Sequence, residues 1–192
     1  MLKKRKWIIA IVLCLVGVYG GRVYAVNSDV ETADRQIFKK GESVPYGNDF
    51  NISSGDICNG YTLTVMDSKV MAAEEFCEKY KIEDMGNSVY EYMVKVSVEN
   101  VSNQHEGEQG VSLGISMLVG ENYVIVPSPD MFKVVNPKIP GMSFSLRTGT
   151  KKEIWLVFEI MEGNTPDYSH LQENPPMLQI TQYPHQKLIR LS

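Results

Sequence analysis

Tyr90, Tyr92, Val94, Val96 and Val98 fall on one side of an alternating run, with Glu91, Lys95, Ser97 and Glu99 on the other. Such a period of two predicts an antiparallel strand with one buried face. Tyr61, Leu63 and Val65 repeat the pattern opposite Thr62 and Thr64, and Met142, Phe144 and Leu146 repeat it opposite Ser143, Ser145 and Arg147. The run from Glu153 to Ile160 is apolar on both faces at its centre, where Trp155 and Val157 back onto Leu156 and Phe158. It reads as a central strand. Further strands are expected at 112–119, 123–127, 177–183 and 187–191, separated by the turn signals NVSNQHEGEQG, VGEN, NPKIPG, TGT and NPP.

One segment departs from this rhythm. From Lys69 to Tyr80, Val70, Ala73, Cys77 and Tyr80 are spaced to form a single helical stripe. A short helix there would cover an edge strand or an open end. Seven to nine short strands without an alternating β-α rhythm predict an all-β fold, an immunoglobulin-like antiparallel β-sandwich with one short helix over residues 49–192.

The first 25 residues follow different rules. Lys3, Lys4, Arg5 and Lys6 precede an apolar run from Trp7 to Gly21, and Val23-Tyr24-Ala25 fits a small-x-small cleavage site. This is an export segment, residues 1–25. Extended past Arg22 to Val26, the run reaches the roughly 20 residues a membrane helix needs. Flanking cations hold the N-terminal side in the cytoplasm. The chain is therefore expected to be exported, either membrane-anchored with its domain outside or secreted after cleavage near Ala25. Cys14 lies within the apolar run, after Leu13, where a lipoprotein cysteine needs a small residue. Residues 26–48 are polar, carry charges of both signs and read as a spacer.

Charge narrows the list of partners. Of 19 basic residues, five lie before residue 26, which leaves 14 against 23 acidic residues and a net of −9 for the remainder. Such a body repels phosphate backbones, so nucleic acid is not an expected partner. An envelope or extracellular protein is, together with the membrane through the N-terminal segment. In an exported chain Cys58 and Cys77 invite a disulfide worth about 3 kcal/mol, with two separate thiols as the alternative.

The strand "YEYMVKVSVENVS" resembles a segment of the telokin-like, immunoglobulin-fold domains found on exported proteins of Gram-positive bacteria. There an alternating strand runs into an Asn at a loop edge. "LRTGTKKEIWLVFEI", from Leu146 to Ile160, is similar to that family's penultimate-strand signature. The resemblance implies a fold for residues 50–192 and no catalytic residue, because the family is largely of unknown function.

Asn100, Ser102, Asn103 and His105 end the alternating strand. They suit a turn, and the loop is the candidate contact surface of the domain. "GVSLG" matches the G-x-S-x-G nucleophile pattern at Ser112, with His170, His185, Asp130 and Asp167 downstream. That chemistry needs a strand-to-helix elbow, which the continuing alternation after Ser112 does not predict. His105, Glu106 and Glu108 lie in one polar loop and lack the converging ligands of a zinc site, so no metal and no cofactor is expected. Asn51 and Asn100 head glycosylation sequons, and Glu74, Glu75 and Glu78 read as a solvated helix face. Tyr46, Tyr61, Tyr123, Tyr168 and Tyr183 are the candidates for a carbohydrate-stacking platform. The leading expectation is a non-enzymatic extracytoplasmic interaction module. A binding module for cell-wall glycan or a small ligand is the alternative, and a small serine hydrolase a third.

Overall fold

The computed structural model describes residues 2–28, 33–52, 58–83, 86–104, 110–166 and 168–192. It divides into two units, Met1–Thr32 and Ala33–Ser192. The first is one helix, α1 (Leu2–Ser28), whose Arg5–Ser28 stretch contains 18 consecutive residues with a mean hydropathy of 2.0, none of them buried. At 1.5 Å per residue the 24 residues of that stretch span roughly 36 Å, enough for a hydrocarbon core of about 30 Å.

The second unit is mostly β. Among the described residues its strands are β1 (Asp34–Phe38), β2 (Ser43–Pro45), β3 (Tyr61–Ala72), β4 (Ser88–Asn100), β5 (Val111–Ser112), β6 (Met117–Val119), β7 (Val124–Ile125), β8 (Ser143–Phe144), β9 (Thr150–Met161), β10 (Met177–Thr181) and β11 (His185–Arg190). One sheet runs β1-β11-β10-β6-β7, a second β2-β3-β4-β9, and β5 pairs with β8. A single core draws Leu63, Val96 and Leu156 from the second sheet and Leu178, Ile180 and Ile189 from the first. The first strand pairs in parallel with the last, Asp34 facing His185 and Phe38 facing Ile189.

That pairing corrects the expected spacer. β1 and β2 both lie within residues 26–48, Val44 is fully buried, and Phe38 packs on the core. The stretch looked structureless because edge strands are short and polar. Pro45 also sits where a ladder donor is not needed.

The alternation of β4 holds on its inner face, where Tyr92, Val94, Val96 and Val98 enter the core. Its outer face was expected to meet water. Instead Met71, Ala73, Phe76, Met93 and Val157 form a second buried cluster there, covered by α2 (Ala73–Tyr80) and α3 (Pro129–Val135). The helix expected from Lys69 begins only at Ala73. Val70 belongs to β3, opposite Tyr92, because the helical stripe and the strand alternation share that position. The second helix was not expected, although its signals are present. Ser128 accepts a hydrogen bond from the Met131 N–H, Pro129 opens the first turn, and Asp130 and Lys133 sit at the ends favoured by the dipole.

β9 is also corrected, since it lies at the end of its sheet. Its apolar run reflects burial on both faces rather than a central position. Asn136 closes the exposed edge by imitating a neighbouring strand. Its Oδ1 accepts from the Trp155 N–H at 3.1 Å, and its Nδ2 donates to the Trp155 carbonyl at 2.8 Å. Asn136→Ala should cost about 1–3 kcal/mol in chemical denaturation and promote self-association in size-exclusion chromatography, since an uncapped edge recruits other strands.

Candidate functional site

The polar residues at the end of β4 turn inward. Asn100 Oδ1 accepts from the Asn103 N–H at 2.7 Å, while Asn100 Nδ2 donates to the carbonyls of Asn103 (2.9 Å) and Leu146 (2.6 Å). Asn103 Nδ2 donates to the Asn59 carbonyl at 2.6 Å, and the N–H groups of Val101 and Ser102 both donate to Gly60. Gly60 has φ +91°, and a Cβ there would meet Asn103 N at 2.5 Å, so only glycine fits. Three chain segments, 58–60, 100–104 and 146–149, are thereby tied at one point. The expected contact loop is corrected accordingly. Asn100 and Asn103 are buried in a lock, Ser102 remains exposed, and His105 with Glu106 and Glu108 lies outside the described residues.

A second polar cluster escaped the sequence reading. Lys187 is 6% exposed, and its ammonium donates to Asp49 Oδ2 (2.6 Å) and to the carbonyls of Pro45 (2.6 Å) and Tyr46 (3.0 Å). That uses all three of its donors. His185 Nδ1 lies 2.9 Å from Asp49 Oδ1. Burial pushes the Asp49 carboxyl up, but the bonds from Lys187 and His185 outweigh it and hold the group below its usual value. Lys187 and His185 lie two apart on β11 and so face the same way. That spacing was the available signal, but Asp49 is 136 residues from His185 and nothing local marked it.

Among the described residues the hydrolase pattern is not brought together. Ser112 ends β5, and a single 3₁₀ turn, Leu113–Ile115, follows where an uninterrupted strand was expected. Its hydroxyl is 2.9 Å from Ser143 Oγ. His185 is bound to Asp49, the His170 ring lies against Ser169, and Asp130 is in the first turn of α3. Asp167 lies outside the described residues. Among the described residues, no three His, Cys, Asp or Glu side chains converge as metal ligands would.

Cys58 and Cys77 are not joined. Cys58 lies in the main core between the sheets and Cys77 packs against the second cluster, so the β3-β4-β9 sheet separates them. Of the five tyrosines proposed as a platform, Tyr46 and Tyr61 are buried, Tyr123 and Tyr168 pack against the core, and Tyr183 is 43% exposed. Both sequon asparagines, Asn51 and Asn100, are buried.

Glu91 is the third polar feature, and its alternation placed it on the solvent side. It is fully buried. Ser88 Oγ donates to its Oε1 at 2.6 Å, while Oε2 has no hydrogen-bond partner. Glu159 stands directly opposite on β9. Burial pushes the carboxyl up to about 7, with the Ser88 bond opposing that shift and the Glu159 charge adding to it.

A family profile described as a domain of unknown function, DUF5028, matches residues 35–187. The chain belongs to that family. No curated protein and no solved structure matches it. The DUF5028 match begins inside β1 and ends inside β11, so the parallel pair that joins the two ends of the domain lies at the two limits of the family. The lock at Asn100, the Asp49–Lys187 pair and Glu91 all fall within or at the end of this range.

Proposed function

We propose that the protein is a non-enzymatic, extracytoplasmic interaction module, a DUF5028 domain held at the membrane by α1. The observation that carries this reading is α1 itself, an apolar run from Trp7 to Val26 broken by Arg22, preceded by Lys3, Lys4, Arg5 and Lys6 and followed within a few residues by the domain. Cations on the N-terminal side favour the orientation that places the domain outside. Retention of the helix is favoured over cleavage near Ala25 because the helix continues unbroken to Ser28 and its run from Trp7 to Val26 has the roughly 20 residues a span needs.

Two sheets sharing one core support an immunoglobulin-like, telokin-like sandwich, as the resemblance to exported Gram-positive domains implies. The non-enzymatic reading is supported by where the polar side chains go. Asn100, Asn103, Asp49 and Lys187 each tie chain segments together, and Ser112 is bonded to Ser143. A net charge of −9 beyond the export segment suits a protein partner with a basic surface.

The test has two arms. A C-terminal alkaline phosphatase fusion should be active, since that enzyme matures only outside the cytoplasm, and an inactive fusion would end the export reading. Cross-linking of an affinity-tagged full chain in intact cells should then enrich one abundant envelope protein. Labelling by a fluorophosphonate probe that disappears in Ser112→Ala would overturn the non-enzymatic reading.

A further inference from the structure

We infer that α2 is a pH-operated lid, seated on the sheet while Glu91 holds a proton and released as that carboxyl ionises. The geometry argues for it from three sides. Glu91 projects from β4 onto the face that α2 covers, is fully buried, and leaves Oε2 without a hydrogen-bond partner. A buried carboxyl with one idle oxygen is tolerable when neutral and costly when charged.

Among the described residues no ion pair reaches Glu91, and the charged residues of α3, which covers the same cluster through Met131 and Val135, are Asp130 and Lys133, neither bonded to it. On β9 the group facing Glu91 is Glu159, another carboxyl, and like charges directly opposite repel. On β3 the facing residue is Met71, and the nearest charged position outward, Lys69, points its ammonium over the Trp155 ring at 4.8 Å. On β4 itself the only bond is from Ser88. From α2 the residues packed on this face are Ala73 and Phe76, with Cys77 and Tyr80 at the margin. The charged residues of that helix and its exit are Glu74, Glu75, Glu78, Lys79, Lys81 and Glu83, and among the described residues none of them bonds Glu91.

The element over this carboxyl is short and is held to the sheet mainly through Phe76. α2 has eight residues, and its N-cap position, Ala72, makes no side-chain hydrogen bond. Its C-cap, Lys81, adopts φ 57°, a left-handed conformation that a lysine enters at a cost. Although the N–H groups of Lys81 and Ile82 close the C-terminal end on the Cys77 carbonyl, a short surface element without an N-terminal side-chain cap can open at a free energy well below global unfolding. Opening hydrates Glu91, whose proton passes to water, and exposes Phe76, Met93 and Val157.

The sign follows from linkage. An acid with a raised value in the seated state favours opening as pH climbs from its ordinary value of 4.5, and the effect levels off above about 7. The experiment is hydrogen exchange by mass spectrometry on the full chain in lipid nanodiscs, corrected for intrinsic exchange, from pH 5 to pH 8.5. Protection of peptides covering α2 should fall about tenfold between pH 6 and pH 8.5, while β3 and β4 stay protected. In Glu91→Gln the α2 profile should become flat, and in Glu159→Gln the same fall should saturate at lower pH. Should Glu91→Gln fail to fold, the Glu159→Gln shift decides the matter. A flat wild-type profile, a fall that persists in Glu91→Gln, an unmoved Glu159→Gln, or loss of protection across the whole domain would each overturn the lid.

Discussion

Asp49→Asn should destabilise the domain by about 3–5 kcal/mol, a drop of roughly 10 °C or more in melting temperature. The reason is what it leaves behind. Lys187 is buried and spends its three donors on Asp49 and two carbonyls, so removing the carboxylate strands an ammonium with no opposite charge beside it. Lys187→Met should cost a similar amount, since it strands Asp49 with only His185. The double variant should cost less than the sum of the two, because a buried pair replaced as a unit leaves no orphaned charge. Urea denaturation of the four proteins measures this coupling. An additive double variant would mean that the two side chains act independently.

The same pair makes the fold sensitive to acid. The Asp49 carboxyl is held below its usual value, so its contribution is fully present at neutral pH and is lost as pH falls through that lowered value. Glu91 has the opposite sign, because its charge is unwelcome and its cost grows as pH rises toward about 7. Between roughly pH 4 and pH 6 both groups are in the state the fold prefers, Asp49 ionised and Glu91 protonated.

How far these features could be read from the chain depends on the range of the interaction. Strand β4 was legible because Tyr92, Val94, Val96 and Val98 report their burial through local alternation. So was the inward set of β8 around Phe144. The helix start was misplaced because Val70 satisfies a strand period and a helical stripe at once, and only its pairing with Tyr92 decides. β1 and β2 were hidden because an edge strand needs little apolar content. Glu91 was read as solvent-facing because alternation says which face a residue takes, not what covers that face. In that respect α2 and α3 carried the missing information. The burial of Asn100 and Asn103 was hidden in another way. Asn and Ser at a strand end mark a turn in either case, and nothing local says whether their side chains point out or in.

Asn100→Ala tests the inward reading most directly. It deletes three hydrogen bonds at once at a buried site, removing the acceptor of the Asn103 N–H and leaving the Leu146 carbonyl with only the long 3.5 Å bond from the Tyr61 hydroxyl. Each ordinary bond is worth about 1 kcal/mol and each buried orphan costs about 1–3 kcal/mol, so a total near 4 kcal/mol is expected. Asn100→Asp is nearly isosteric and should be at least as damaging. The acceptor toward Asn103 survives, but the donors are replaced by an oxygen facing two carbonyls. Ser102→Ala, two residues along and exposed, should stay within about 0.5 kcal/mol. A contact loop would reverse this order, with Asn100→Ala harmless to folding and Ser102→Ala or Asn100→Ala weakening partner capture. The lock instead requires stability to fall with Asn100 while Ser102 is free to vary. Gly60→Ala should fail alongside Asn100→Ala, because both hold the same three segments at one point.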